Sequence, residues 1–470
     1  MRSKADDSRM LDAWNQARNI FFLGIGGIGM SAIARFVLSK GKGVSGYDGQ
    51  TTELTRSLEK EGATVHYEMD SAIPDMKSAD LIVYTAAIKA DHPLHQQALA
   101  TGLPFIKRAK ILGMLSEAFK CLAVAGTHGK TTTTTMLTHL LLECGVEASA
   151  FLGGISHNLK SNLSIGSSDW IVAEADEFDR SFLTLYPEIA AITAMDADHL
   201  DIYGDEQSLV EAFKTFASQR NENGKLFIHH SLQKEFQVEK SIYSYGIESG
   251  DIQAYEIEGK GWKMWFSWTD GEMHYERLKL PLPGRHNVEN MTLAIGMALA
   301  AGADPKRIPS AVKSFKGIYR RMDRVWENDS LIYIDDYAHH PAEIQAVLGA
   351  VKEVFPGREV IVIFQPHLFS RTQDFQQEFG KALSEADKVG VMNIYPAREK
   401  PIPGITHETI LTYIENTEAI HLERKLLQYT LEDWITEDTV LLTLGAGDID
   451  KEVDKIQTWL TDKYGHHNNQ

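Results

Sequence analysis

At 470 residues the chain is too long for one hydrophobic core, and its length fits about three domains. Hydrophobic residues make up 43% and charged residues 24%, a globular balance that excludes a disordered or fibrous chain. A formal net charge of −18 argues against a general binder of nucleic acid or anionic membrane, so an anionic ligand would need a local cluster of donors or metal. Cys121 and Cys144 supply neither a disulfide framework nor a zinc spacing. The first residues lack the apolar run of a leader, and no run is long enough to span a bilayer. A cytoplasmic location without membrane insertion is therefore expected.

Asn19 to Gly24 predicts a strand that enters a glycine-crowded turn. Ile33, Phe36, Val37 and Leu38 then predict a helix ending at Gly41. Val44 to Asp48 reads as the next strand, with an acid at its end. Gly24, Gly26 and Gly29 fit G-x-G-x-x-G, and Asp48 lies where such folds place the acid that meets a ribose hydroxyl. The pattern alone suits a dinucleotide, the diphosphate of a nucleotide sugar, or a plain tight turn. Strand-like runs at Ala63–Val65 and Asp80–Tyr84 complete a small α/β domain that closes near Lys110 to Glu117.

Cys121 to Ala125 reads as a buried strand, followed by the turn Gly126-Thr127-His128-Gly129. Lys130 and Thr131 come next, then Met136, Leu137, Leu140 and Leu141 at helical spacing. This is the order of a phosphate-binding loop. Glycines let backbone N–H groups approach phosphate, and the helix N-terminus favours negative charge. Lys130 would reach the β- and γ-phosphates and Thr131 would hold Mg²⁺. The common form of the motif places its first glycine at Val124, so this loop is shorter, and a βα turn with a surface lysine is the alternative.

Phe151 to Gly154 reads as a strand end and turn. Trp170–Ala173 predicts a strand followed by Glu174, Asp176, Glu177 and Asp179. Ile189–Ala194 predicts another, followed by Asp196, Asp198, His199 and Asp201. Acids after strands in an open α/β sheet suit a cation, and an acidic surface turn is the alternative. Residues 241–280 alternate like strands, with a hairpin signal at Asp270-Gly271, and predict a small separate antiparallel sheet with an aromatic face. Asn287 and Asn290 share a helix face, either as ligand amides or with Asn287 as a cap. A basic knot, Phe315 to Arg324, leads to a third unit with strands at Leu331–Ile334, Val360–Phe364, Val389–Val391 and Val440–Leu444. Its polar groups again follow strands. Adjacent His339 and His340 suit substrate contacts better than a metal.

Together these stretches resemble the Mur ligases of peptidoglycan synthesis. The resemblance rests on GIGGIGMS (from Gly24), GTHGKTTT (from Gly126), EADEFDRSFL (from Glu174), MDADHLDIY (from Met195) and GRHNVEN (from Gly284). It continues through DDYAHHP (from Asp335), FQPHLFSRT (from Phe364), YPAREKPIPG (from Tyr395) and GAGDI (from Gly445). The short phosphate loop is that family's own form. The resemblance implies an α/β chain of three domains: a Rossmann-like UDP-binding domain at 1–118, a P-loop ATPase-like domain at 119–322, and a Rossmann-like amino-acid domain at 323–470. It implies ATP-dependent joining of L-alanine to the carboxylate of UDP-N-acetylmuramate through an acyl phosphate. A monomer or homodimer is expected, with small-molecule substrates and no nucleic acid.

The resemblance also assigns residues. ATP would meet Gly126, Thr127, His128, Gly129, Lys130, Thr131 and Thr132, together with Asn287, Asn290, Arg321 and Asp336. Catalytic roles fall to Lys130, His199, Asn290, Arg321 and Asp336. Thr131, Glu174 and His199 would serve two Mg²⁺ ions, for which Mn²⁺ can substitute. The nucleotide sugar would meet Gly26, Gly27, Ile28, Gly29, Met30 and Ser31, with Asp48, Thr85, Arg108, Glu177 and Ser181. His340, His367 and Arg371 would line the amino-acid side. Tyr47, His92, Leu368 and Arg398 depart from residues frequent in the family. Three rivals compete with this reading. A recycling ligase would take a tripeptide, an oxidoreductase would rest on the first glycine loop and Asp48, and a nucleotide switch would do neither chemistry.

Overall fold

The protein is described from a computed structural model covering residues 4–196, 203–237, 241–397, 399–415 and 417–465. Its strands form three sheets. The first contains β1 (Asn19–Leu23), β2 (Gly43–Tyr47), β3 (Thr64–His66), β4 (Leu81–Tyr84) and β5 (Phe105–Lys107), all parallel, in the order β3-β2-β1-β4-β5. The apolar runs NIFFL and LIVY are buried on both faces, as helix-covered parallel strands must be. The order reverses between β1 and β4. A crevice therefore opens at the carboxyl ends of these two strands, where Gly24 and Thr85 follow.

The second sheet has ten strands: β6 (Lys120–Ala125), β7 (Ser149–Ser156), β8 (Ser161–Ser164), β9 (Trp170–Ala175), β10 (Ile189–Ile192), β11 (Lys225–His229), β12 (Ile242–Ile247), β13 (Ile252–Gly259), β14 (Met264–Thr269) and β15 (His274–Leu280). Their order is β15-β14-β13-β12-β11-β10-β6-β9-β7-β8. The small separate sheet expected at 241–280 does not exist. β12 pairs in parallel with β11, so this run extends the central sheet, and the aromatic residues Phe266 and Trp268 go into its core. The hairpin expected at Asp270-Gly271 does join β14 to β15.

The third sheet contains β16 (Asp323–Glu327), β17 (Leu331–Asp336), β18 (Glu359–Phe364), β19 (Lys388–Val391), β20 (Glu418–His421) and β21 (Thr439–Leu444), ordered β16-β17-β21-β18-β19-β20. Only β16 runs antiparallel in it.

The chain groups into two compact units. One comprises Met1–Tyr255, Trp268–Tyr275 and Glu289–Val312; the other comprises Glu256–Ser267, Glu276–Val288 and Lys313–Gln470. In the first unit one hydrophobic cluster extends from Ile20 beneath the first sheet to Phe236 beneath the second, and another, with Phe21, Leu23 and Ile82, packs the first sheet's other face. In the second unit the third sheet buries both faces, with Phe364 and Phe379 on one side and Tyr333 and Trp434 on the other.

Candidate functional site

β1 turns into the helix Ile28–Ser39 through Gly24, Gly26 and Gly27. Asp48, at the end of β2, accepts the Gly26 N–H at 2.8 Å and that of Gln50 at 3.2 Å. Burial raises the Asp48 pKa above its ordinary value, and these N–H donors pull it back. Thr85 packs on the turn, where a Cβ on Gly24 would stand 2.6 Å from its methyl group. A Cβ on Gly29 would stand 2.6 Å from Nη1 of Arg108, so that guanidinium lies against the helix start. Met30 and Ser31 are buried in the first helical turn. The structure thus gathers Gly26, Gly27, Ile28, Gly29, Asp48, Thr85 and Arg108 at one crevice. Helix-start N–H groups together with an arginine make an anion site.

β6 ends at Ala125 and the helix Lys130–Glu143 follows. Gly129 caps that helix at φ +77°, a left-handed conformation that a side chain would strain. Thr193 donates to the carbonyls of His128 and Ala125, and the Ala194 carbonyl accepts the Thr127 N–H at 3.1 Å. Lys130 Nζ donates to Gly126 O at 2.6 Å and approaches the Glu177 oxygens at 2.8 and 2.7 Å. Glu177 is 1% exposed. Burial opposes the charge of Lys130, but Glu177, with Asp176 and Glu174, outweighs it and raises the lysine pKa. Burial also lifts the Glu177 carboxyl, and Lys130 offsets that only in part. Tyr203 secures this acid from behind by donating to the Glu177 carbonyl at 2.8 Å. Ser181 lies in the short helix Phe178–Thr184 that follows.

Glu174 sits in β9 opposite Val124 of β6, which brings its carboxylate beside the loop. The expected turn at Gly153-Gly154 is instead continuous strand β7. A Cβ at Gly153 would meet the Glu174 oxygens at 2.3 and 2.4 Å, so glycine there serves the acid and not a turn. Asn290 lies on the loop: its Oδ1 would be 2.7 Å from a Cβ on Gly129, and it accepts the Thr133 hydroxyl at 3.2 Å. Thr131 is buried and Thr132 half-buried at the helix start. His128 Nε2 is 3.6 Å from Asp196. His199 lies outside the described residues. Thr131 and Glu174 offer the hydroxyl and carboxylate oxygens that a hard cation takes, and the bare backbone at Gly153 leaves that carboxylate its place.

In the second unit, Asn287 is buried and donates to Pro283 O at 2.7 Å, which secures the start of its own helix. Asp336, at the end of β17, accepts the N–H groups of Met322 (2.6 Å) and Ala338 (2.7 Å). Burial raises its carboxyl to about 6, against the opposing pull of Arg321 and these donors. Arg320 is ion-paired to Asp335 at 2.9 Å, so the basic knot is partly neutralised within its own sheet. Arg320 and Arg321 both stack on Tyr337, at 5.3 and 5.0 Å. His340 caps the helix Pro341–Val354, with Glu343 closing a capping box. His339 is neutral, lowered to about 4 by burial, which the Glu343 charge opposes and Arg371 reinforces. The His367 ring lies 6.0 Å from His339 and 5.8 Å from Tyr395. Arg371 is buried in the helix Phe369–Asp374. Among the described residues, no cluster of three or more His, Cys, Asp or Glu suits a metal.

Sequence reasoning missed Thr193, Tyr203 and Tyr337, which no spacing marks. Glu343 was legible in principle, since His340-Pro341 with an acid three residues after the cap is a capping box.

Three family models match in order: "Mur ligase family, catalytic domain" at residues 19–120, "Mur ligase middle domain" at 124–298, and "Mur ligase, glutamate ligase domain" at 320–447. A UDP-N-acetylmuramate–L-alanine ligase of Christiangramia forsetii is 45% identical over 449 residues, covering 94% of this chain and 98% of that protein. One from Cytophaga hutchinsonii is 40% identical, covering 96% of this chain and 98% of its own length. Among solved structures, the UDP-N-acetylmuramate-alanine ligase of Thermotoga maritima superposes with a TM-score of 0.81 at 29% identity, covering 95% of this chain and all (100%) of that one.

Proposed function

The chain belongs to the Mur ligase family and is an ATP-dependent ligase that joins L-alanine to UDP-N-acetylmuramate in peptidoglycan precursor synthesis; we propose that its three polar groups divide that work. The first glycine loop, with Asp48, Thr85 and Arg108, holds the nucleotide sugar. The phosphate loop, with Lys130 and Asn290, holds ATP. His340, His367 and Arg371 hold the amino acid, and Arg321 with Asp336 serves the nucleotide. The domains divide near residues 118 and 322, and the reaction takes place in the cytoplasm.

A carboxylate is a poor electrophile toward an amine, so the sugar's carboxylate must first be activated. One of its oxygens forms a bond to the γ-phosphorus, the bond from that phosphorus to the β,γ-bridging oxygen breaks, and ADP leaves. The nitrogen of the unprotonated amino group of L-alanine then bonds to the acyl carbon and gives up a proton, the tetrahedral species collapses, and inorganic phosphate leaves. Lys130 meets the charge of the transferring group, and its pairing with Glu177 keeps it charged before ATP arrives. The Gly126–Thr131 N–H groups position the phosphates. Thr131 and Glu174 would hold Mg²⁺, with His199 serving a second ion. Bound there, the metal supplies charge neutralisation on the phosphates.

The observation that carries the reading is the half-buried Lys130 paired to buried Glu177 and near Glu174, in one unit with a second, arginine-faced glycine loop. Phosphate release from ATP with UDP-N-acetylmuramate tests it, run with L-alanine, with a tripeptide, with neither, and with nicotinamide cofactors. Release that requires L-alanine is expected. Release with the tripeptide alone would move the assignment to a recycling ligase.

A further inference from the structure

β8 is the edge strand of the second sheet, yet its Asn162 is fully buried (0% exposed). Its Nδ2 donates to the Ile28 carbonyl at 2.6 Å and to the Ser31 hydroxyl at 3.0 Å. Its Oδ1 accepts from Nη1 of Arg35. Arg35 in turn donates through Nε to both Glu61 oxygens at 2.9 Å. A buried amide is costly unless every partner is met. Here all three partners sit on the helix Ile28–Ser39, the one that begins at the first glycine loop.

The contact to Ile28 O has a consequence on the other side of the loop. The Ile28–Gly29 peptide is planar and trans, so its carbonyl and the Gly29 N–H point in opposite directions. Gly29 is in the first helical turn, where N–H groups have no intrahelical acceptor. A donor fixed on the Ile28 carbonyl therefore aims the Gly29 N–H outward. Arg108 lies against that same residue. Gly26 contributes less to such a cradle, because its N–H is taken by Asp48.

We propose that Asn162, a residue of the ATP-binding sheet, is a positioning residue for the diphosphate of the nucleotide sugar, acting through the Ile28–Gly29 peptide. The proposal rests on the reading of the first glycine loop as the nucleotide-sugar site. It means that the loop of the first sheet is aligned by a side chain of the second, across the core the two share.

The test uses the full-length enzyme and Asn162→Asp, Asn162→Leu and Arg35→Met. Asn162→Asp keeps an oxygen for Arg35 but puts a carboxylate against the Ile28 carbonyl. Its KM for UDP-N-acetylmuramate should rise about tenfold, with KM for ATP and kcat within about twofold, read at a temperature where the variant stays folded. Asn162→Leu should show the same KM split whatever its stability, while Arg35→Met should lower the melting temperature and raise that KM by less than Asn162→Asp does. An unchanged KM in Asn162→Asp would overturn the proposal, and so would KM values for both substrates that rise in step with lost stability. Arg108→Ala is the control for the underlying reading. If it too leaves KM for UDP-N-acetylmuramate unchanged, the site itself is misassigned. If it raises that KM while Asn162→Asp does not, only the role of Asn162 falls.

Discussion

The chain builds the same local device twice and furnishes it differently. In the first sheet a strand, a glycine turn and a helix start face Arg108, and the turn is braced by Asp48 and Asn162. In the second sheet the same sequence of elements carries Lys130, paired to a buried Glu177, with Glu174 and Asn290 beside it. The first loop is braced by an anionic acceptor, Asp48, and a neutral donor, Asn162, and lies against one guanidinium. The second holds an ion-paired ammonium among carboxylates, with Lys130 Nζ 2.7 Å from Glu177. That difference suits the division proposed above, between a diphosphate that is only held and a phosphoryl group that must move. An arginine fork fixes orientation, whereas a lysine is a point charge able to follow a transferring group.

Substitutions in the two loops should break along this line. The largest effect is expected from Lys130→Ala: kcat for phosphate release should fall by about a thousandfold or more, with the protein still folded. Near wild-type turnover in a folded variant would reject the assignment. Arg108→Ala should come next, raising KM for UDP-N-acetylmuramate by roughly 10- to 100-fold while kcat changes little, the loss of a charge-assisted contact. Gly153→Ala places a methyl group against the Glu174 carboxylate. It should raise the Mg²⁺ concentration for half-maximal rate by about tenfold and leave UDP-N-acetylmuramate affinity alone, a split read from Mg²⁺ titrations.

The smallest effect concerns the third sheet. Asp336, at about 6, is charged above that pH and neutral below it. Its attraction for Arg321 is therefore present above about pH 6, and kcat/KM should fall to about half at that pH and about tenfold one unit lower. Stability runs the other way. A carboxyl raised on folding favours the folded state at low pH, and that contribution is lost as pH rises through about 6. Asp336→Asn should remove the acid limb at a lower overall rate. If Lys130→Ala or Arg108→Ala removed it instead, the limb would belong to one of the two loops.

Much of the fold was legible because parallel strands buried on both faces read as short apolar runs: NIFFL, CLAVA and VLLTL all became strands. Residues 241–280 were read correctly as strands but wrongly as a separate sheet. Alternation reports one buried face and says nothing about which edge a strand joins. Gly153 reads as a turn from local sequence because the reason for its missing side chain, Glu174, is 21 residues away and meets it only through sheet pairing. The glycines, Lys130, Thr131 and Asp48 were visible through local spacing. Asn290 was visible as a possible ligand amide through its helical spacing from Asn287, whereas Arg108 and Thr85 entered only through family resemblance. Thr193, Tyr203 and Asn162 leave no local signal, since each acts by a long-range contact to a backbone carbonyl.

The contrast between a loop that holds and a loop that transfers is tested most directly by calorimetric titration of UDP-N-acetylmuramate, without ATP, into Lys130→Ala and Arg108→Ala. The account predicts that Lys130→Ala binds the nucleotide sugar within about twofold of wild type and that Arg108→Ala binds it at least about tenfold more weakly. Equal weakening in the two variants, or loss in Lys130→Ala alone, would contradict it.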